Sequence, residues 1–330
     1  MEQAQLVTTT DDGKLQCNAC QWRCQLGADE HGHCELRVGR GEAIEVTHYG
    51  MISAASVGPI EDHRFWHFFP DSLAFSIGGW GSAFPVDLQR GSYARPPEDP
   101  EKRRRLDVER AANFALERLC RGVVWAYGDP AVSYEYVAAL LRSSRANSRY
   151  TAIVTNGFLT TEALDGFGPY LDGLNLDLRG FSAVSYQRLA GITNWRGVLD
   201  LAVHAKTRWN CHMEVTTRVH RGVNDEIDEL HELVDWIRDM LGPQTPWHVL
   251  PGDAGSETAG AVARARRIGH ERGLQFIYGH EANQATRCPT CQATLITREN
   301  GIARLIGLSA DRCGHCDTPI NLQLSIFKPR

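Results

Sequence analysis

Long apolar runs are missing from this 330-residue chain. No stretch of about 18 apolar residues occurs, so no membrane-spanning helix is expected. A basic start followed by an apolar segment is missing too. The opening Met1-Glu2-Gln3-Ala4-Gln5 is polar and does not read as a secretory signal. These two absences lead to the expectation of a cytoplasmic protein whose thiols stay reduced. There is little excess charge: a formal net charge of −5 and a pI near 6.2 disfavour nucleic acid or an anionic membrane as a bulk electrostatic partner. The basic run Lys102-Arg103-Arg104-Arg105 follows the acidic stretch 97–101 and reads as a solvated linker. No internal repeat or low-complexity tract is present. A hydrophobic content of 42% is that of a globular protein, and the length suits one large α/β domain with small appendages.

Cysteine is plentiful but unevenly placed. Eight of the ten cysteines form two tight clusters, and none lies between Cys34 and Cys120. Cys120 and Cys211 stand alone among apolar neighbours and read as inert core residues. The C-terminal cluster is Cys288-x-x-Cys291, 21 intervening residues, then Cys313-x-x-Cys316. Two such knuckles close a tetrahedral zinc site with no open position, and the segment between them reads as a hairpin around Asn300-Gly301. The N-terminal cluster is Cys17, Cys20, Cys24 and Cys34. Four thiols in so short a span point to a metal, either zinc or an iron–sulfur cluster.

Between the clusters, short apolar runs alternate with amphipathic stretches. Strands are expected at 73–77, 122–127, 150–155, 173–178, 211–219, 247–250 and 274–278. Helices are expected at 108–119, 134–144, 161–170, 195–206, 226–241 and 259–272. Leu230, Leu233, Val234 and Ile237 give the fifth helix an apolar face, with Asn224 and Asp225 suited to cap it. Strand–helix alternation implies a parallel sheet covered by helices, here a partial β/α barrel whose chemistry sits at the C-terminal strand ends. The expected organisation is an N-terminal Cys-rich module and lead-in over 1–70, the barrel over 71–283 and a zinc ribbon over 284–330.

An ordered series of segments carries a family resemblance. It includes Gly32-His33-Cys34, Pro59-Ile60-Glu61, His67-Phe68-Phe69-Pro70, Ser76-Ile77-Gly78, Thr155-Asn156-Gly157, Asp177-Leu178-Arg179-Gly180-Phe181, Glu214-Val215-Thr216-Thr217, Gly222-Val223-Asn224-Asp225 and Pro246-Trp247-His248. Together with both Cys clusters, these resemble the radical-SAM proteins of the AmmeMemoRadiSam group, relatives of pyruvate formate-lyase activating enzyme. The resemblance implies a six-stranded partial barrel, (β/α)6. It also implies an iron–sulfur cluster held by three cysteines after the first strand, with S-adenosylmethionine on its open iron.

At those three positions this chain has Ser82, Val86 and Gln89, and none is a thiolate. The acidic position after the second strand is Asp129, following Gly128, where the family has a longer Glu. Arg179 replaces a frequent Lys, and the loop after His248 is short. The leading expectation is a degenerate radical-SAM-fold protein without radical chemistry, acting as a subunit, scaffold or ligand-binding protein beside protein partners. S-adenosylmethionine binding is then in doubt. A second reading relocates a cluster to Cys17, Cys20 and Cys24, which requires the N-terminal module to fold over the barrel mouth. A third is a different enzyme using a pocket of Gly128, Asp129, Asn156, Asp177, Arg179, Glu214, Thr216 and His248. A mouth filled by Trp80, Phe84 or Trp125 would exclude that pocket. The aromatic stretch 65–69 reads either as an edge packed on the barrel, the favoured reading, or as an exposed partner site.

Overall fold

The computed structural model describes residues 2–281, 283–299 and 301–326, without the side chain of Ser256. Its centre is an eight-stranded sheet whose spatial order follows the chain. Strand β1 (Ala54–Pro59) pairs antiparallel with β2 (Leu73–Gly78). From β2 onward all neighbours are parallel: β3 (Gly122–Tyr127), β4 (Tyr150–Thr155), β5 (Gly173–Asp177), β6 (His212–Val219), β7 (Trp247–Pro251) and the two-residue β8 (Ile277–Tyr278). The fold is thus a partial α/β barrel, with six full parallel strands, a short seventh and one antiparallel edge strand. Runs such as Val123-Val124-Trp125 and Leu174–Leu176 are buried on both faces, as a parallel sheet covered by helices requires.

The helices are α1 (Pro85–Arg90), α2 (Val108–Glu117), α3 (Tyr134–Ala146), α4 (Thr161–Phe167), α5 (Ala183–Leu189), α6 (Arg196–Trp209), α7 (Ile227–Trp236) and α8 (Ser256–Glu271). Leu230, Leu233 and Val234 bury the apolar face of α7, which ends in a single π turn at Ile237–Leu241. The capping expectation is corrected: Glu226 precedes α7, and no side chain caps it. Asn224 and Asp225 instead build the preceding turn. Asn224 Nδ2 donates to the carbonyls of Arg179 and Arg218, and Asp225 accepts the Gly222 N–H.

Because β1 descends to the N-terminal end of the barrel and β2 rises from it, residues 60–72 form a plug entering from below. Phe65, Phe68 and Phe69 are buried there against Val124, Tyr150 and Ala152. Arg64 and His63 reach halfway up: Asn175 Nδ2 on β5 donates to both their carbonyls. Glu214 fixes the plug by accepting the N–H groups of Trp66 and His67 at 2.8 Å. Burial alone would raise this carboxyl. Hydrogen bonds from His212 (3.2 Å) and His248 (2.7 Å) hold it well below its usual range instead.

The C-terminal module docks on the same floor. Its hairpin pairs Thr294–Glu299 with Ile302–Leu305. Gly301 takes φ +78° at the turn, and Asn300 lies outside the described residues. Trp66, Phe276 and Tyr278 share one apolar cluster with Leu295, Ile296 and Cys288. The buried Arg298 lies over the Trp66 ring and donates to the Trp66 carbonyl.

His67 joins these parts. Its Nδ1–H donates to the Asn321 carbonyl, and its Nε2 accepts from the Tyr278 hydroxyl at 2.7 Å. Both nitrogens are committed in the neutral form, and burial lowers the ring from 6.5 to about 3. In the unfolded chain the ring takes up its proton near 6.5, so the stabilisation is full above that pH and is lost as pH falls from 6.5 to about 3. Thermal unfolding followed across that window should show a falling Tm, with a shallower slope in His67→Asn. An unchanged slope would contradict this role.

Candidate functional site

The C-terminal strand ends surround a cavity of about 180 Å³ lined by Ser82, Asp87, Tyr93, Gly128, Asp129, Asn156, Asp177 and Arg179 among others. Through Asp87, Asp177 and Arg179 it continues into a second space of about 550 Å³ beside Arg90, Arg188, Arg218 and His220. Phe84 and Trp125 are buried beneath the surface, and neither they nor Trp80 line these cavities. The mouth is open and polar.

Its geometry is set by the loop from β2 to α1. Gly128, at φ +77°, lies so close to the loop that a Cβ would sit 2.3 Å from the Gly79 carbonyl oxygen, so no side chain fits. Asp129 accepts the N–H groups of Ala83 and Ala131 and the Asn156 Nδ2 donor, each at 2.9 Å. Burial pushes its carboxyl up against these bonds. Asp129 and Asn156 therefore hold the loop and each other. Ser82 Oγ accepts the Phe84 N–H and donates to Asp87. Val86 and Gln89 lie on α1, Val86 lining the larger space and Gln89 exposed.

Arg179 closes the arrangement. Its guanidinium takes both Asp87 oxygens, at 2.7 and 2.8 Å, and adds Asp177 at 3.2 Å and the Leu189 carbonyl at 2.8 Å. It also lies 5.0 Å over the Phe84 ring. Burial opposes this charge, but Asp177 and Asp87 more than offset it and raise its pKa. Such a fork is specific to arginine.

Three residues expected at the mouth sit elsewhere. Glu214 and His248 are fully buried around the plug, and Thr216 donates to Asn175 at mid-depth. Side chains alternate along a strand, so Glu214, Thr216 and Arg218 form one inward column rising from floor to mouth. Arg218 is the member that lines the larger cavity. That alternation, counted from Glu214, is the signal by which sequence reasoning could have found Arg218. Asp87 had no such signal.

The N-terminal module packs against this mouth. Trp22 Nε1 donates to the Ala83 carbonyl at 2.6 Å, and Gln21 donates to the carbonyls of Gly157 and Leu159. Leu36 approaches Gly81. Arg37 forms a buried bidentate pair with Glu135 on α3, at 2.7 and 3.0 Å. Burial raises the pKa of Cys20, Cys24 and Cys34, that of Cys34 to about 11, and each feels the other thiols of the module. Among the described residues, the metal-ligand group whose atoms all lie within 4.8 Å is Cys288, Cys291, Cys313 and Cys316. Their sulfurs approach to 3.5 and 3.6 Å in pairs. Metal–sulfur bonds of about 2.3 Å in a tetrahedron place sulfurs about 3.8 Å apart, so this group suits a single ion. The N-terminal sulfurs do not meet that spacing.

Residues 84–237 match the model of the radical SAM superfamily. That span runs from the start of α1 through α7. Over 98% of its length the chain is 28% identical to an uncharacterized protein of Methanocaldococcus jannaschii, all of which is covered. It is 21% identical to the 4-hydroxyphenylacetate decarboxylase activating enzyme of Clostridium scatologenes over 35% of this chain and 37% of that protein. Among solved structures, a radical SAM methyltransferase from Sphaerobacter thermophilus aligns with a TM-score of 0.49 at 16% identity, over 72% of each chain. Among the described residues, no helix is long and apolar enough to cross a membrane.

If the Arg179 fork holds the mouth loop, Arg179→Lys, which keeps the charge and loses the bidentate geometry, should destabilise the protein by about 1–3 kcal/mol in urea unfolding. Amide exchange should rise across residues 79–90. Wild-type stability and exchange in that variant would contradict the assignment.

Proposed function

We propose that this chain is a radical SAM-fold protein of the AmmeMemoRadiSam type that does no radical chemistry and uses the barrel mouth as a ligand-binding pocket. The observation that carries this reading is the donor set of the mouth loop. An iron–sulfur cluster there would need three thiolates, and positions 82, 86 and 89 offer a hydroxyl, an alkyl group and an exposed amide. The residues do not fit the group. Ser82 is occupied with Asp87 and the Phe84 amide, and the Asp87–Arg179 fork spans the region next to it. Asp129 is engaged with Ala83, Ala131 and Asn156, which leaves it poorly placed to meet the amine of S-adenosylmethionine. An open polar cavity that is fully built but lacks cluster ligands is what a binding protein needs. Zinc at Cys288, Cys291, Cys313 and Cys316 is the reading those sulfur spacings support, with a structural role in fastening the ribbon to the barrel floor.

One observation favours a second reading, an iron–sulfur cluster on the N-terminal cysteines. The module that carries Cys17, Cys20, Cys24 and Cys34 lies against the mouth loop through Trp22 and Leu36, the placement such a reading demands. Metal and acid-labile sulfide measured on protein purified without oxygen separate the two. About one zinc ion per chain, at the ribbon cysteines, and no sulfide are expected. About four irons and four sulfides, lost on Cys20→Ser, would overturn the first reading in favour of the second.

A further inference from the structure

The mouth carries more positive charge than its own acids neutralise. Asp87 and Asp177 are paired with Arg179 and Asp253 is hydrogen-bonded to His220 at 3.0 Å, and three further arginines, Arg90, Arg188 and Arg218, line the same space. Arg90 and Arg218 line the 550 Å³ cavity with no hydrogen bond or ion pair from their guanidinium groups among the described residues. Arg188 has only the Gly222 carbonyl, at 2.7 Å. In a chain whose net charge is −5, such a cluster is not a bulk property.

Arg64 lies below this cluster and does not line the cavity. It is the tip of the plug, held halfway up the barrel by Asn175 and thereby by Thr216, two residues below Arg218 on the same face of β6. Its φ of +59° is the left-handed cap that ends the turn Ile60–His63, with its N–H donating to the Glu61 carbonyl. Its guanidinium too has no ion pair among the described residues. Burial and the like charge of Arg218 both weaken its hold on the proton, opposed by Asp62.

We infer that the larger cavity binds the phosphate group of a phosphorylated small molecule, held by Arg218, Arg90 and Arg188, the three arginines that line it without a carboxylate partner. Guanidinium forks match phosphate oxygens in pairs, and phosphate brings the two charges that one carboxylate cannot. The neighbouring 180 Å³ cavity, with Tyr93, Ala126 and Val154, receives the less polar remainder. This inference rests on the mouth being a ligand pocket and not a cluster site.

The test is calorimetric titration of the full-length protein with inorganic pyrophosphate, with citrate as a polycarboxylate control. Pyrophosphate should bind, and Arg218→Gln and Arg90→Gln should each weaken it about tenfold or more. Arg304→Gln, on the ribbon hairpin, should leave it unchanged. Arg218 is exposed, so its variant should fold, and thermal unfolding in parallel verifies this. Absence of binding at about 10 mM, binding indifferent to Arg218, or citrate binding as tightly with the same arginine dependence would each overturn the inference. Failure here with no sulfide in the protein removes the phosphate site alone. Sulfide at the mouth would remove the ligand pocket as well.

Discussion

The Arg179–Asp87 fork is the contact on which the mouth depends. It ties the end of β5 to α1 and so closes the loop after β2 onto the barrel. Asp129 does the complementary work from β3, holding the Ala83 amide while Trp22 of the N-terminal module holds the Ala83 carbonyl. A loop of this kind has to be fastened by something, since its backbone groups cannot be left unsatisfied. Here carboxylates, an arginine and a tryptophan serve that purpose, and the positions that would carry thiolates are given over to capping, packing or solvent.

The interior below is built to different rules. Glu214, His212, His248 and the plug amides form a buried polar knot in which four donors converge on the Glu214 carboxylate, while His248 Nδ1 has no hydrogen-bond partner among the described residues. Its cost in desolvation is offset only because donors converge on one carboxylate. The knot fixes the plug, the plug positions Arg64, and Trp66 with Arg298 fastens the ribbon underneath. The height of Arg64 in the barrel is therefore set by contacts made well beneath it.

Most of the barrel was legible in the sequence because its parallel strands are buried on both faces. The six full parallel strands were bounded to within a residue or so, since runs such as Gly122–Tyr127 and Tyr150–Thr155 have no other interpretation. Strand β1 was not legible. Its sequence, Ala-Ala-Ser-Val-Gly-Pro, is a half-exposed edge with no apolar run. Helices α1 and α5, at six and seven residues, are too short to show a period. The site was legible in part. Asp129, Asn156, Asp177 and Arg179 do meet around one cavity. Depth along a strand was the missing quantity: Glu214 and His248 sit near the starts of their strands, and only the ladder register reveals it. Asp87 was invisible because its meaning comes from a partner 92 positions away.

The central claim is that the mouth holds no cluster able to engage S-adenosylmethionine. Electron paramagnetic resonance of the anaerobically reconstituted, reduced full-length chain, recorded with and without S-adenosylmethionine, tests it most directly. The account predicts that S-adenosylmethionine leaves the spectrum unchanged and that no cleavage product forms. A cluster signal that shifts on adding S-adenosylmethionine, with cleavage to 5′-deoxyadenosine, would contradict it.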